Sequence, residues 1–425
     1  MKNFKEYLKL VLPSYVLYAF RKIKYFFREI EIKLLMKRVR FGHKIALKKI
    51  KQKQKISISF FLLNVDTWKY DSLYKKFSNS NRFEVFVVIC PFISNGDSFK
   101  QKEIEKSVNY CKSRGYKYII GDENSAVDIK EKADIFFFSN PNNHTIKYFL
   151  IENYWDKLTC YIFYSFRVSN YYSYEYNTIM QNLVWINFLE SSVHKDLTEK
   201  FSRNSGTNLY VSGYPHLENF SPILSTEKPK KTIIWAPHWT IKNYQETGLD
   251  WSCFLDYNTF FLQIADEYID QIEIVLKPHP LLKTILEDKV WGKFKTDIFF
   301  ETWEKKENCK LVEGDYVTLF DTSDALIHDS GGFLVEYLVQ NKPVAFTVKS
   351  SEYIKNYNEF GRLALQCHEI IRCEKDLRNF INSIISGDDT QKKQREVFLK
   401  QDLNVLDKKP SELIFDEIIR KIDSF

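Results

Sequence analysis

Hydrophobic positions fall into two regimes along the chain. Up to about residue 55, apolar and aromatic residues (Leu10 to Phe20, Tyr25 to Phe27, Leu34 to Met36) are interleaved with lysine and arginine. From Ile56 the pattern changes to short apolar runs separated by stretches of helical character. Runs at 56–63, 84–90, 117–120, 134–138, 160–164 and 184–188 read as buried strands, with helices expected at 68–79, 100–114, 142–153 and 191–202. Alternation of this kind predicts a doubly wound α/β domain. The block closes at 209–218 with a strand running into a Gly213-Tyr-Pro turn.

Residues 221–231, with two prolines and several lysines, read as a linker to a second α/β series. Strands are expected at 232–240, stopped by Pro237, and at 272–280, ended by Pro278 and Pro280. A third, at 325–327, leads through a tight turn into a helix at 332–340 and a further strand opening at Pro343. Strand, loop, helix and strand in under about thirty residues make a βαβ unit of a parallel sheet. Helices are expected at 377–385, 391–399 and 411–422. The division is then a basic helical arm at 1–55, α/β domains at 56–222 and 223–390, and carboxyl-terminal helices at 391–425 that pack on the domains.

Charge sharpens this division. Residues 1–55 carry 17 Lys and Arg against 3 Asp and Glu, whereas the whole chain carries 62 against 55. The basic character thus belongs to the arm. Its longest apolar run is about eleven residues, broken by Pro13 and Ser14, whereas a bilayer span needs about 20. No small-residue cleavage site follows, which argues against a secretory signal. A basic, aromatic-bearing helix of this kind suits an anionic membrane surface. No motif for nucleic acid accompanies it, so nucleic acid is not an expected partner. The seven cysteines form no Cys-x-x-Cys pair and the eight histidines no ligand spacing, so neither a metal nor a disulfide framework is expected. That usage suits a reducing cytoplasm. No Gly-x-Gly-x-x-Gly occurs either, which removes a standard dinucleotide site and leaves no cofactor expected.

Candidate chemistry gathers at the ends of the second series of strands. His238, His279 and the pair His328-Asp329 each follow a strand. In a parallel sheet such ends share one edge, where α/β proteins bind their ligands. Asp329 and Ser330 can cap the following helix, and Gly331 and Gly332, the only adjacent glycine pair, leave the backbone approachable. Free amides at a helix start favour phosphate. Asp329, Ser330, Gly331 and Gly332 are therefore candidates for a nucleotide donor's phosphates, with Lys277 beside them and Glu336 one turn into the helix for a ribose or for the helix start itself. His279 and His238 are candidates for catalysis, since a near-neutral imidazole suits proton transfer.

Four segments together, Gly213-Tyr-Pro-His-Leu-Glu218, Trp235-Ala-Pro-His-Trp239, Lys277-Pro-His-Pro280 and Asp324-Ala-Leu-Ile-His-Asp-Ser-Gly-Gly332 followed by Glu336, resemble the CDP-glycerol glycerophosphotransferase family. The likeness spans about 150–390. It implies a GT-B-like fold of two Rossmann-like domains with a cleft between them and a donor nucleotide held by the second domain. It also implies CDP-glycerol or a similar activated donor, and a lipid-linked or polysaccharide acceptor approaching the first domain. The work would be done peripherally at the cytoplasmic face of the cell membrane. Two departures stand out. Asp329-Ser-Gly-Gly332 replaces the family's common Asp-Tyr-Ser-Ser, and Phe163-Tyr-Ser165 stands near its usual Trp-His-Gly. The Asp-Ser-Gly-Gly signature is also similar to that of UDP-N-acetylglucosamine 2-epimerases, so the alternative is a GT-B glycosyltransferase or epimerase-like enzyme using a UDP-sugar.

Overall fold

The computed structural model describes residues 14–94, 96–221, 228–241, 250–314, 316–403 and 408–425. Among these described residues, thirteen strands form two parallel sheets. The first contains β1 (Ile56–Leu62), β2 (Phe83–Ile89), β3 (Tyr118–Ile120), β4 (Ile135–Phe138), β5 (Leu158–Ile162), β6 (Ile186–Leu189) and β7 (Leu209–Val211), in the order β3-β2-β1-β4-β5-β6-β7. The second contains β8 (Lys231–Ala236), β9 (Ile272–Leu276), β10 (Cys309–Leu311), β11 (Ala325–His328), β12 (Val344–Thr347) and β13 (Glu369–Ile371), in the order β10-β9-β8-β11-β12-β13. Both are Rossmann-like. Each reverses its strand order beside its first strand, between β1 and β4 and between β8 and β11.

Strands buried on both faces need mostly apolar residues, and the central strands have them, with Ser59, Thr159 and Asn187 as buried polar exceptions. Phe60 and Phe61 show the consequence of the two-residue period. Phe60 stacks on Phe137 at 4.7 Å on one face, while Phe61 meets Phe138 at 4.9 Å on the other. The Phe60 side is the larger core. It continues without a break into the second domain through Phe166, Leu326 and Phe360.

Helix Ser14–Lys51 lies against the first domain, its middle joining the Phe61-side core through Ile32, Met36 and Val39 and its last turns joining the Phe60-side core through Ala46, Leu47 and Ile50. Ile32, Met36, Val39, Ala46, Leu47 and Ile50 are buried at helical spacing. Gly42 lies so close to the neighbouring turn that a Cβ would come within 2.0 Å of the Trp155 carbonyl oxygen. The basic arm is therefore a layer of the first domain over its carboxyl-terminal half. The start of the apolar run at Leu10 lies outside the described residues, as do 222–227 of the expected linker. No described helix is long and apolar enough to cross a membrane. At the other end, helix Pro410–Asp423 returns to the first domain, where Phe415 packs on Phe77 and Phe83 and Asp423 pairs with Arg82.

Three local expectations fail. The helix expected at 142–153 is instead an extended loop followed by short 3₁₀ turns at Lys147–Phe149 and Ile151–Tyr154. The helix expected at 332–340 is one α turn, Phe333–Glu336, tightening into a 3₁₀ turn, Tyr337–Gln340. It also has no side-chain cap, because Asp329 is engaged elsewhere. So short a helix has little dipole with which to attract an anion.

Candidate active site

The loops after β9, β8 and β11 are neighbours along one sheet edge, at the point where the strand order reverses. Pro237 and Pro278 end their strands because proline offers no N–H to the ladder. The chains nonetheless stay paired, with Lys277 N–H donating to the Trp235 carbonyl at 2.8 Å and His279 N–H to the Pro237 carbonyl at 3.0 Å. This register brings the rings of His238 and His279 to 5.0 Å, flanked by Trp239 and Trp251.

Hydrogen bonds assign the tautomers. A backbone amide can only donate, so Leu281 N–H, 3.1 Å from His279 Nδ1, makes that nitrogen an acceptor. Thr240 N–H, 3.4 Å from His238 Nδ1, makes that nitrogen an acceptor too, and the Thr240 hydroxyl, 2.9 Å away, then donates to it. Both imidazoles thus carry their proton on Nε2. Burial lowers His238 to about 3, helped by His279, and lowers His279 to about 4, helped by the charge of Lys277. At neutral pH the pair are uncharged N–H donors beside one cation.

Asp329 is buried behind them. Its two oxygens accept the amides of His238 and Cys253, at 2.5 and 2.6 Å, which ties the β8 loop to the start of the Phe254–Glu267 helix. Burial raises its carboxyl to about 7 against the pull of those amides. His328 is buried too, and its tautomer follows from a chain. His368 Nδ1 donates to the Ala364 carbonyl at 2.9 Å, so its Nε2 accepts from His328 Nε2 at 3.2 Å. His328 Nδ1 is then free to accept the Ser330 amide at 3.2 Å. The Asp329-Ser-Gly-Gly332 turn is thereby pinned from beneath. Ser330, Gly331 and Gly332 remain half-buried at the surface of the cleft.

Glu336 faces a different set of partners. It is 2% exposed and accepts the Tyr316 hydroxyl, which in turn accepts from Lys69 Nζ at 2.9 Å. His216 Nε2 lies 3.1 Å from the same hydroxyl. Lys69 and His216 belong to the first domain, so this cluster spans the cleft. A second junction joins the loop after β5 to residues 356–361. Asn358 donates to the Arg167 carbonyl at 2.7 Å and the Tyr176 hydroxyl at 2.8 Å, while Arg167 itself makes a fully buried bidentate pair with Glu190. A Cβ on Gly331 would touch Val168 of that loop.

The structure thus gathers Lys277, His238, His279, Asp329, Ser330, Gly331 and Gly332 along one edge and sets Glu336 apart, on the inter-domain cluster. Sequence reasoning missed Lys69, Tyr316, Arg167 and Asn358. None lies in a motif, and their partners are as much as 247 residues away. No cluster of three metal-ligating side chains occurs among the described residues.

Solved structures resembling the chain share this architecture at low sequence identity. The wall teichoic acid polymerase TagF aligns with a TM-score of 0.58 at 14% identity, covering 96% of this chain and 98% of that one. The S. aureus MnaA–UDP complex aligns at 0.57 and 15%, covering 87% and 98%. A UDP-GlcNAc 2-epimerase from Neisseria meningitidis bound to UDP-GlcNAc aligns at 0.53 and 13%, covering 86% and 100%. At such identities the likeness establishes the fold, which is GT-B-like. No curated protein sequence matches the chain. A family model does, over residues 208–420, which is half of the chain and holds all four motif segments, and the chain accordingly belongs to the CDP-glycerol:poly(glycerophosphate) glycerophosphotransferase family.

Proposed function

We propose that this protein transfers a glycerol-phosphate or related polyol-phosphate unit from a CDP-linked donor to a hydroxyl of a cell-surface polysaccharide or teichoic-acid-like acceptor. The observation that carries the reading is the convergence of Lys277, His238, His279 and the Ser330–Gly332 turn at the switch point of the second sheet, in a chain of this family. Ser330 and the glycine backbone hold the donor's phosphates. Lys277 supplies the positive charge, and the Nε2–H groups of His279 and His238 donate to the phosphate oxygens as charge develops on the leaving nucleotide. Glu336 becomes available to a ribose when the Tyr316 hydroxyl is displaced from it.

The amino-terminal helix supports work at the cytoplasmic membrane surface. Ile23, Phe26, Phe27, Ile30 and Leu34 are exposed along one stripe, with Lys22, Arg28, Lys33 and Lys37 alongside. Apolar side chains flanked by cations match an anionic lipid interface.

A sugar-transferring or epimerase-like reading rests on the Asp-Ser-Gly-Gly turn and predicts UDP-sugar binding instead. A thermal-shift panel of CDP-glycerol, CDP-ribitol, CMP and UDP-sugars separates the two. A ligand present at about 100 times its dissociation constant stabilises the fold by about 2.7 kcal/mol. Responses to CMP and the CDP-alditols are expected; a response to UDP-sugars alone would transfer the assignment to the other reading.

A further inference from the structure

Resting on that transfer reading, we infer that the pocket at the carboxyl end of β12 holds the group being transferred, and that this group is a polyol longer than glycerol. The donor-side groups give the nucleotide a direction along the sheet edge. Lys277 and His279 follow β9, His238 follows β8, and Tyr316, the partner of Glu336, follows β10. All of these serve the nucleotide that leaves. The phosphates lie on the Ser330–Gly332 turn after β11, so the far end of the pyrophosphate points to the next strand of the sheet, β12.

Four observations make this pocket continuous with the donor edge. β12 pairs with β11, with Phe346 opposite His328, so the chains leaving the two strands start about 5 Å apart. Trp251 lines the pocket, and its ring lies 5.7 Å from that of His238. The charge of Lys349, on the pocket's rim, reaches the Asp329 carboxyl. On the first-domain side, Tyr357 bridges to Ser169 and the Asn356 carbonyl accepts Asn170 N–H at 3.0 Å. Val168, next along that loop, is the residue that a Cβ on Gly331 would meet at 3.4 Å.

The lining decides what fits. Trp251, Tyr353 and Tyr357 give aromatic walls, while Asp250, Lys349 and Asn356 supply a carboxylate, an ammonium and an amide. The charges pair off, Lys349 with Asp250 at 2.5 Å and Lys355 with Glu352 at 2.5 Å. A further phosphate would meet no surplus of positive charge, whereas a neutral chain of carbons and hydroxyls is well matched. Its C–H edges face the rings and its hydroxyls reach the polar rim. The pocket has a volume of about 270 Å³. At about 30 Å³ for each water that is room for about nine, more than a three-carbon glycerol fills. A five-carbon alditol extended from its phosphate uses the extra length.

The test compares CDP-ribitol with CDP-glycerol on the full chain, with a glycerol-phosphate oligomer as acceptor. It reads kcat/KM from CMP release and, separately, the thermal shift given by CMP alone. The parent is expected to prefer CDP-ribitol about tenfold. Asp250→Ala removes a hydroxyl acceptor and Tyr353→Ala removes a wall. Each should cut the preference to about twofold or less by lowering the ribitol rate, and the CMP shift should not fall, since CMP carries no polyol. Asp250 has 31% of its side chain exposed, so that variant decides the matter if Tyr353→Ala fails to fold. A preference unchanged in Asp250→Ala would overturn the assignment of the pocket, and a parent favouring CDP-glycerol would overturn the longer polyol. A matching loss of the CMP shift would give the pocket to the nucleoside instead and overturn the inference too. A parent that releases CMP from neither donor would overturn the transfer reading itself, and the pocket's role with it.

Discussion

His279→Ala removes one Nε2–H donor from the donor edge and leaves Lys277 in place. Losing a single preorganised donor to developing charge should lower turnover about tenfold or more; a near-normal rate would take His279 out of the mechanism. The same assignment fixes a pH dependence. His238 and His279 stay neutral until pH falls toward about 3 and about 4. Were their values the ordinary 6.5 or so, acidification through pH 6.5 would add positive charge and tighten the grip on a pyrophosphate. Between pH 7.5 and 5.5 the two histidines therefore add no charge, and the group that titrates at this edge is Asp329, raised by burial to about 7, whose protonation removes a negative charge. CDP-glycerol affinity, measured by calorimetry, should tighten as pH falls through that value in the parent and stay flat in Asp329→Asn, and equal pH dependence in both would contradict this. At this scale the sequence was legible where a strand, a proline and a histidine stood together, as at Pro237-His238 and Lys277-Pro-His279. It was not legible for Lys69, Arg167 or Asn358, whose roles come from neighbours that only the folded chain supplies. Nor did it show that Asp329 serves the β8 loop and Cys253 rather than its own helix.

Strands were the elements most readable in advance, because a strand buried on both faces must be continuously apolar. β4 is apolar throughout, and β1, β2, β8, β9 and β11 each hold an apolar run of three residues or more that announces them. The three-residue edge strands β10 and β13, part polar and exposed to a single neighbour, carry no such signal. The apolar spacing at 142–153 imitates a helix, but Pro141 and the following asparagines favour a turn, and Phe149, Ile151 and Tyr154 reach the core from 3₁₀ turns instead. The amino-terminal helix was legible as basic and aromatic, though not as a layer of the first domain. Its exposed stripe makes a prediction. The protein should sediment with vesicles of anionic lipid, less so at high salt. Phe26→Glu with Leu34→Glu should weaken that binding about tenfold while sparing the buried face of the helix. Equal sedimentation of parent and variant would remove the helix from membrane attachment.

Across the whole molecule, the two domains are joined by continuous core and by buried polar junctions. Asn358 shows what the polar part contributes. It is fully buried, donates to Arg167 and Tyr176 of the first domain, and accepts the Gly361 amide at 2.8 Å. Asn358→Ala leaves the Gly361 amide without a partner and takes one donor each from the Arg167 carbonyl and the Tyr176 hydroxyl, which still bond to each other. Denaturant unfolding should show a loss of about 1–3 kcal/mol, and a loss below about 0.5 kcal/mol would mean that the junction is solvated or loosely made. The cluster of Lys69, His216, Tyr316 and Glu336 links the domains on the other side, so a donor ribose that engages Glu336 also alters how the domains are tied. The central claim, transfer of a polyol phosphate, is tested most directly by supplying purified protein with CDP-glycerol, with and without a glycerol-phosphate oligomer, and following CMP and oligomer mass together. Acceptor-dependent CMP release is expected, matched by oligomers heavier by one glycerol phosphate per CMP. CMP release without extension, or turnover of UDP-sugars alone, would contradict it.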